Sequence, residues 1–110
     1  MEATKKELMT EHIINFVNLW QERIDEQHSH NTPDVPPETL EVSYGKKYAK
    51  VINNYMGQQR SVSAFIDLET GDVLKPASWS GPAPHARGNV FSEDQGMEAV
   101  DSSGYIKYLK

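Results

Sequence analysis

Six residues between positions 60 and 87 carry the side chains best suited to hold an anion: Arg60, Lys75, Ser78, Trp79, His85 and Arg87. Arginine offers a planar fork of donors to phosphate, lysine a point charge, serine a neutral donor and tryptophan a face on which a base can stack. Gly81 and Gly88 would let backbone N–H groups approach as well. The same residues have a structural reading. Trp79 would then be core, Arg87 would bond loop carbonyls, and Lys75 would be a solvated edge charge. Both readings make the stretch after Pro76 an ordered surface.

Other chemistry is thinner. His28 and His30 stand close together, with His12, His85 and many carboxylates elsewhere, but no zinc spacing is present and the pair reads as solvated groups at a helix end. Ser, His and Asp occur without the strand–Ser–turn–helix context of an activated nucleophile. Asp67 and Asp72 flank a turn and read as turn-forming acceptors rather than an acid/base pair. No catalytic residue, resident metal or cofactor is therefore assigned. A small enzyme of unknown reaction is the least favoured reading.

The elements that position the six residues begin with a hairpin. Val62, Ala64, Ile66 and Leu68 alternate with Ser63, Phe65 and Asp67, the period of a strand. Glu69-Thr70-Gly71-Asp72 supplies turn chemistry, and Val73-Leu74-Lys75 resumes an extended run that Pro76 closes. Residues 77–89 are rich in Pro and Gly and read as an ordered loop. Upstream, Thr4-Lys5-Lys6-Glu7 fits a capping box, and Met9, Ile13, Phe16, Val17, Trp20 and Ile24 recur at helical steps. That stripe needs a cover, either the sheet or a second copy of the helix. Pro33, Pro36 and Pro37 stiffen a linker over 32–39, after which Leu40–Tyr44 and Tyr48–Ile52 read as one or two strands around Gly45. Residues 53–59 read as a connection. Ser92–Gln95 could cap a helical turn through Val100, and Tyr105–Leu109 could be a last strand.

The pattern predicts an α+β domain over 1–110. An N-terminal amphipathic helix or arm (1–31) and the linker (32–39) precede a unit (40–110) built on a small antiparallel sheet of three to four strands with an ordered Pro/Gly-rich loop.

Residues 46–92 resemble a family of small proteins encoded by tailed bacteriophages, including phages of marine bacteria. The likeness is carried by Arg60-Ser61-Val62, Thr70-Gly71-Asp72, Lys75, Ala77-Ser78-Trp79, Pro82-Ala83 and Ala86-Arg87-Gly88-Asn89. It implies an origin and a fold unit, and no catalytic residue is transferred with it.

Composition narrows the classes. There is no cysteine, so disulfides and thiolate metal sites are excluded. No apolar run reaches the length of a membrane span, and no signal-peptide core follows the charged N-terminus, so the chain reads as soluble and not exported. The net charge is −5, yet the signs are segregated: residues 1–41 carry nine acids against three bases, whereas 42–66 carry Lys46, Lys47, Lys50 and Arg60 with no acid. Such segregation can focus a field on an anionic ligand inside an acidic protein. The expectation is a non-enzymatic accessory protein of phage type in the host cytoplasm, a homodimer that binds a macromolecule. A host protein would meet the acidic N-terminal third; nucleic acid or a phosphate ligand would meet the basic sheet and the Trp79/Arg87 segment.

Overall fold

Thr4 opens the first element. Its hydroxyl accepts the Glu7 N–H at 3.1 Å and donates to the Glu7 carboxylate at 3.1 Å, which tethers the first turn. From there α1 runs Lys5–Asn31. The structure is a computed structural model that describes residues 4–31, 34–101 and 104–106.

Met9, Ile13, Phe16, Val17 and Trp20 of α1 are buried, and Ile24 packs at the edge of the same cluster. Their cover is one face of the sheet, contributed by Ala49, Val51, Ala64, Ile66 and Val73, closed at the side by Val90, Ala99, Val100 and Ile106. Each large side chain taken out of water here contributes about 1.5–3 kcal/mol, so the stripe holds the helix on the sheet without further devices. Trp20 adds one: its indole N–H donates to the Gly104 carbonyl at 2.7 Å and fixes the C-terminal segment over the helix.

The sheet is an antiparallel meander of five strands, β1 (Thr39–Tyr44), β2 (Tyr48–Tyr55), β3 (Gln58–Asp67), β4 (Asp72–Ser78) and β5 (Gly81–Asn89), in the order β1-β2-β3-β4-β5. This is more than the three to four strands expected, for two reasons. Residues 53–59 are not a loop: β2 and β3 continue to a two-residue turn at Met56 and Gly57, both with positive φ, the geometry that tight hairpins favour. The Pro/Gly-rich stretch is also not a loop. Its residues 81–89 form β5, an edge strand whose pairing with β4 shifts register between Val73 and Leu74, Leu74 and Pro76, and Pro76 and Ser78. Pro82 and Pro84 have no N–H to give a ladder, which an edge strand with bulges tolerates and a central one does not.

Turn chemistry between β3 and β4 follows the sequence. Asp67 Oδ1 accepts the N–H groups of Glu69 at 2.8 Å and Thr70 at 3.3 Å, and Gly71 takes φ 83°. Asp72 instead accepts from the Asn89 amide across the sheet at 3.0 Å. The connector between α1 and β1 is tied back to the helix: His28 Nε2 meets the Val35 carbonyl, and Gln21 donates to the Glu38 carbonyl at 2.9 Å while accepting the Leu40 N–H at 2.7 Å. Residues 32 and 33 of the expected linker lie outside the described residues. The expected helical turn after Ser92 is a single 3₁₀ turn at Met97–Ala99, and the expected last strand is represented by one bridge between Val100 and Ile106. Residues 107–109 of that strand lie outside the described residues. Among the described residues, no helix is long and apolar enough to cross a membrane.

Candidate functional site

The sheet has a second face, turned away from α1, and it is not bare. Phe65 and Ile52 are only 1% and 3% exposed although they belong to no part of the cluster under the helix. The pairing explains where they point: Lys50 sits opposite Phe65, one residue out of phase with Val51 opposite Ala64, which faces the helix. Over Phe65 lie the Tyr48 ring, edge-on at 5.9 Å between centroids, and the Lys50 ammonium at 5.8 Å. The same ammonium is 5.2 Å from the centre of the Trp79 ring. Trp79 follows β4, so the tip of the β4–β5 hairpin folds over this outer face and clamps Lys50 between two aromatic groups. Lys47 lies 5.4 Å over Tyr48 in turn. The result is a basic and aromatic platform of Lys47, Tyr48, Lys50 and Trp79, with Lys46 exposed beside it in the β1–β2 turn.

Acid on this face is already engaged. Glu41 Oε1 accepts from Asn54 at 2.8 Å and from Gln59 at 3.1 Å, and these hydrogen bonds, first Asn54 and then Gln59, hold its carboxyl below the ordinary value. Trp79 remains 48% exposed, so Lys50 covers only part of its ring surface.

The six residues singled out by type do not converge. Trp79 joins the outer platform, and Ser78 beside it has its hydroxyl 3.4 Å from Ser80 Oγ. His85 is an exposed residue of β5 with φ 76°, and Arg87 Nη1 donates to the Pro84 carbonyl at 2.9 Å and to the His85 carbonyl at 2.5 Å. The guanidinium therefore braces the irregular backbone of β5. Arg60 is exposed on β3, its guanidinium carbon 5.5 Å over the Tyr55 ring. Lys75 is on the other side of the sheet from Trp79, lining a cleft beneath α1.

That cleft, of about 730 Å³, was not foreseen from the sequence. Its walls are the C-terminal half of α1, the connector and the C-terminal segment; its floor is the end of the sheet away from the β3–β4 turn. Ile24, Val35 and Ile106 give it an apolar lining, and Glu38, Lys75 and Asp101 give it charge. Ser61, Val62 and Ser63 all line it, three consecutive residues of one strand. The β2–β3 register shifts on either side of this stretch, between Val51 and Ile52 and between Asn53 and Asn54; Val62 stands opposite Ile52 and shares its face, so it borders the cleft along the edge of the strand. Among the described residues no group of three or more His, Asp or Glu side chains is placed to hold a metal ion.

A family model matches residues 1–109, nearly the whole chain. The chain belongs to DUF7717, a family of unknown function. No curated protein and no solved structure matches this DUF7717 member. What the DUF7717 fold offers as a site thus rests on its geometry: an outer platform of aromatic rings and lysines, and a mixed cleft under the helix.

Proposed function

We propose that this chain is a small accessory protein of phage type, not an enzyme, that binds single-stranded nucleic acid on the outer face of its sheet. The observation that supports this reading is the Lys50 ammonium held 5.2 Å over a Trp79 ring that is still half exposed. A base stacks on the free part of such a ring, while Lys46, Lys47 and Lys50 track the phosphates, and the recognition tolerates any sequence because every base has a π-face. The phage origin rests on the resemblance over residues 46–92, and with it the host cytoplasm as location. A homodimer would double the length of strand that is held.

Titration with oligothymidylate, read by quenching of Trp79 fluorescence, tests the reading. Trp20 is buried and serves as the internal background. Three lysine–phosphate contacts give a slope of log K against log salt of about −2 for a single strand. Trp79→Ala, which lacks the reporting ring and is followed instead by anisotropy of a fluorescein-labelled oligothymidylate, should weaken binding by about tenfold, within the 1–3 kcal/mol that one stacked base contributes. Absence of binding at low salt, or an unchanged affinity in Trp79→Ala, overturns the proposal.

A further inference from the structure

β3 is longer than β4 can cover. It spans Gln58–Asp67, yet its pairing with β4 is confined to Phe65 with Leu74 and Ile66 with Val73. Beyond that point β4 leaves: Lys75 and Pro76 line the cleft, Pro76 has no N–H to offer, and the hairpin tip crosses to Lys50 on the outer face. Residues 58–64 of β3 are thereby left with β2 as their one ladder partner among the described residues. An inner strand of a sheet has an open edge, and the cleft of about 730 Å³ lies along it.

We propose that this cleft takes an extended segment of a partner protein, alternating apolar and basic residues, which adds as a strand to the open edge of β3. Main-chain groups of β3 supply the affinity in such an addition, and seats for alternate side chains supply the choice. The apolar seats are Ile24 and Val35. The charged lining holds two acids to one base, Glu38 and Asp101 against Lys75, with Glu38 Oε2 fixed by the Asn53 amide at 2.8 Å, so the balance favours a basic occupant. A second copy of this chain fits less well: of its two edge strands, β1 offers Glu41 and no base and would bring acid to acid, and β5 is interrupted by Pro82 and Pro84, which have no N–H to give a ladder. At about 3.3 Å per residue, the seven residues 58–64 accommodate a segment of five to seven residues.

The test is a titration of the ¹⁵N-labelled full chain with a blocked hexapeptide that alternates valine or threonine with lysine, and with its glutamate counterpart. Expected are amide shifts and slowed hydrogen exchange centred on residues 61–64, with the lysine peptide binding at least tenfold tighter. Ser61→Trp, at an exposed position where the added ring fills the cleft, should weaken peptide binding tenfold or more and leave oligothymidylate binding unchanged; the shift map on the unaltered chain stands by itself if that variant does not fold. Shifts that are absent at millimolar peptide, that fall on Lys47, Lys50 and Trp79 instead, or that are equal for the two peptides overturn the proposal. So does a concentration-dependent dimer that Ser61→Trp abolishes, because the occupant would then be a second copy. Failure here leaves the nucleic-acid reading untouched, since the two surfaces lie on opposite faces of the sheet.

Discussion

Replacing Gly96 by alanine probes the closure of the core where the 3₁₀ turn meets α1. Gly96 has φ 93°, and a Cβ built on it would lie 2.6 Å from Cδ1 of Phe16 and 3.0 Å from its Cγ. The Phe16 ring is fully buried and leans on Trp20 at 5.4 Å, so it has no room to swing aside. Gly57 is the matched control. Its φ of 80° is as unfavourable for alanine, but nothing lies within 4 Å of the added carbon. Gly57→Ala should therefore lose only the backbone term, about 1 kcal/mol after the stiffer unfolded chain offsets part of the left-handed penalty. Gly96→Ala adds overpacking of a filled core, about 1–3 kcal/mol more, for a total of about 2–4 kcal/mol. For a domain of this size that corresponds to a melting temperature lowered by about 5 °C at position 57 and by about 10–20 °C at position 96, read by circular dichroism. Equal losses at the two sites would refute the packing of Phe16 against this turn.

Two further outcomes follow from single groups. Gln21→Ala strips partners from the Leu40 N–H and the Glu38 carbonyl at once and should lower stability by about 1–3 kcal/mol in urea titration, with amide exchange accelerating first at Leu40. Glu98 sits under a burial penalty that alone would raise its pKa, but hydrogen bonds from the Ser92 hydroxyl and from the backbone N–H groups of Glu98, Asn89 and Gly96 outweigh it and hold the carboxyl below its usual value. A depressed folded pKa contributes stability that is present above the unfolded value of about 4.3 and is lost as pH falls through the folded one. Glu98→Gln should therefore be less stable than the parent at pH 7, and the gap should close as pH drops below about 4; a gap constant with pH would mean that the charge has no part in it.

The helix was legible from its side-chain spacing, because six apolar residues on one stripe leave few alternatives to an amphipathic α-helix. The hairpin around Asp67-Leu68-Glu69-Thr70-Gly71 was legible too, from alternation and turn residues. What misled was proline. Pro76 reads as a strand-end or edge residue and stands within β4, opposite Pro82; Pro82 and Pro84 read as part of a loop, but they stand in β5, an edge strand whose pairing is full of register shifts and where a missing donor is harmless. The cleft had no signature at all. Its lining comes from α1, the connector, three strands and the C-terminal segment, and the bulges that shift register between β2 and β3 are not announced by the sequence. Residue type alone likewise grouped Lys75 with Trp79, and only the divergence of β4 from β3 shows that they serve different faces.

The hydrogen bond between Trp20 and Gly104 joins residues 84 positions apart. A ribosome adding about 5–20 residues per second therefore makes the acceptor about 4–17 s after the indole. Throughout that interval the meander can zip from neighbour to neighbour and take up the greasy side of the nascent helix, while the Trp20 N–H waits for a clasp made late. Stalling translation just before Gly104 would thus hold a chain whose helix already lies on its strands but whose latch is still open.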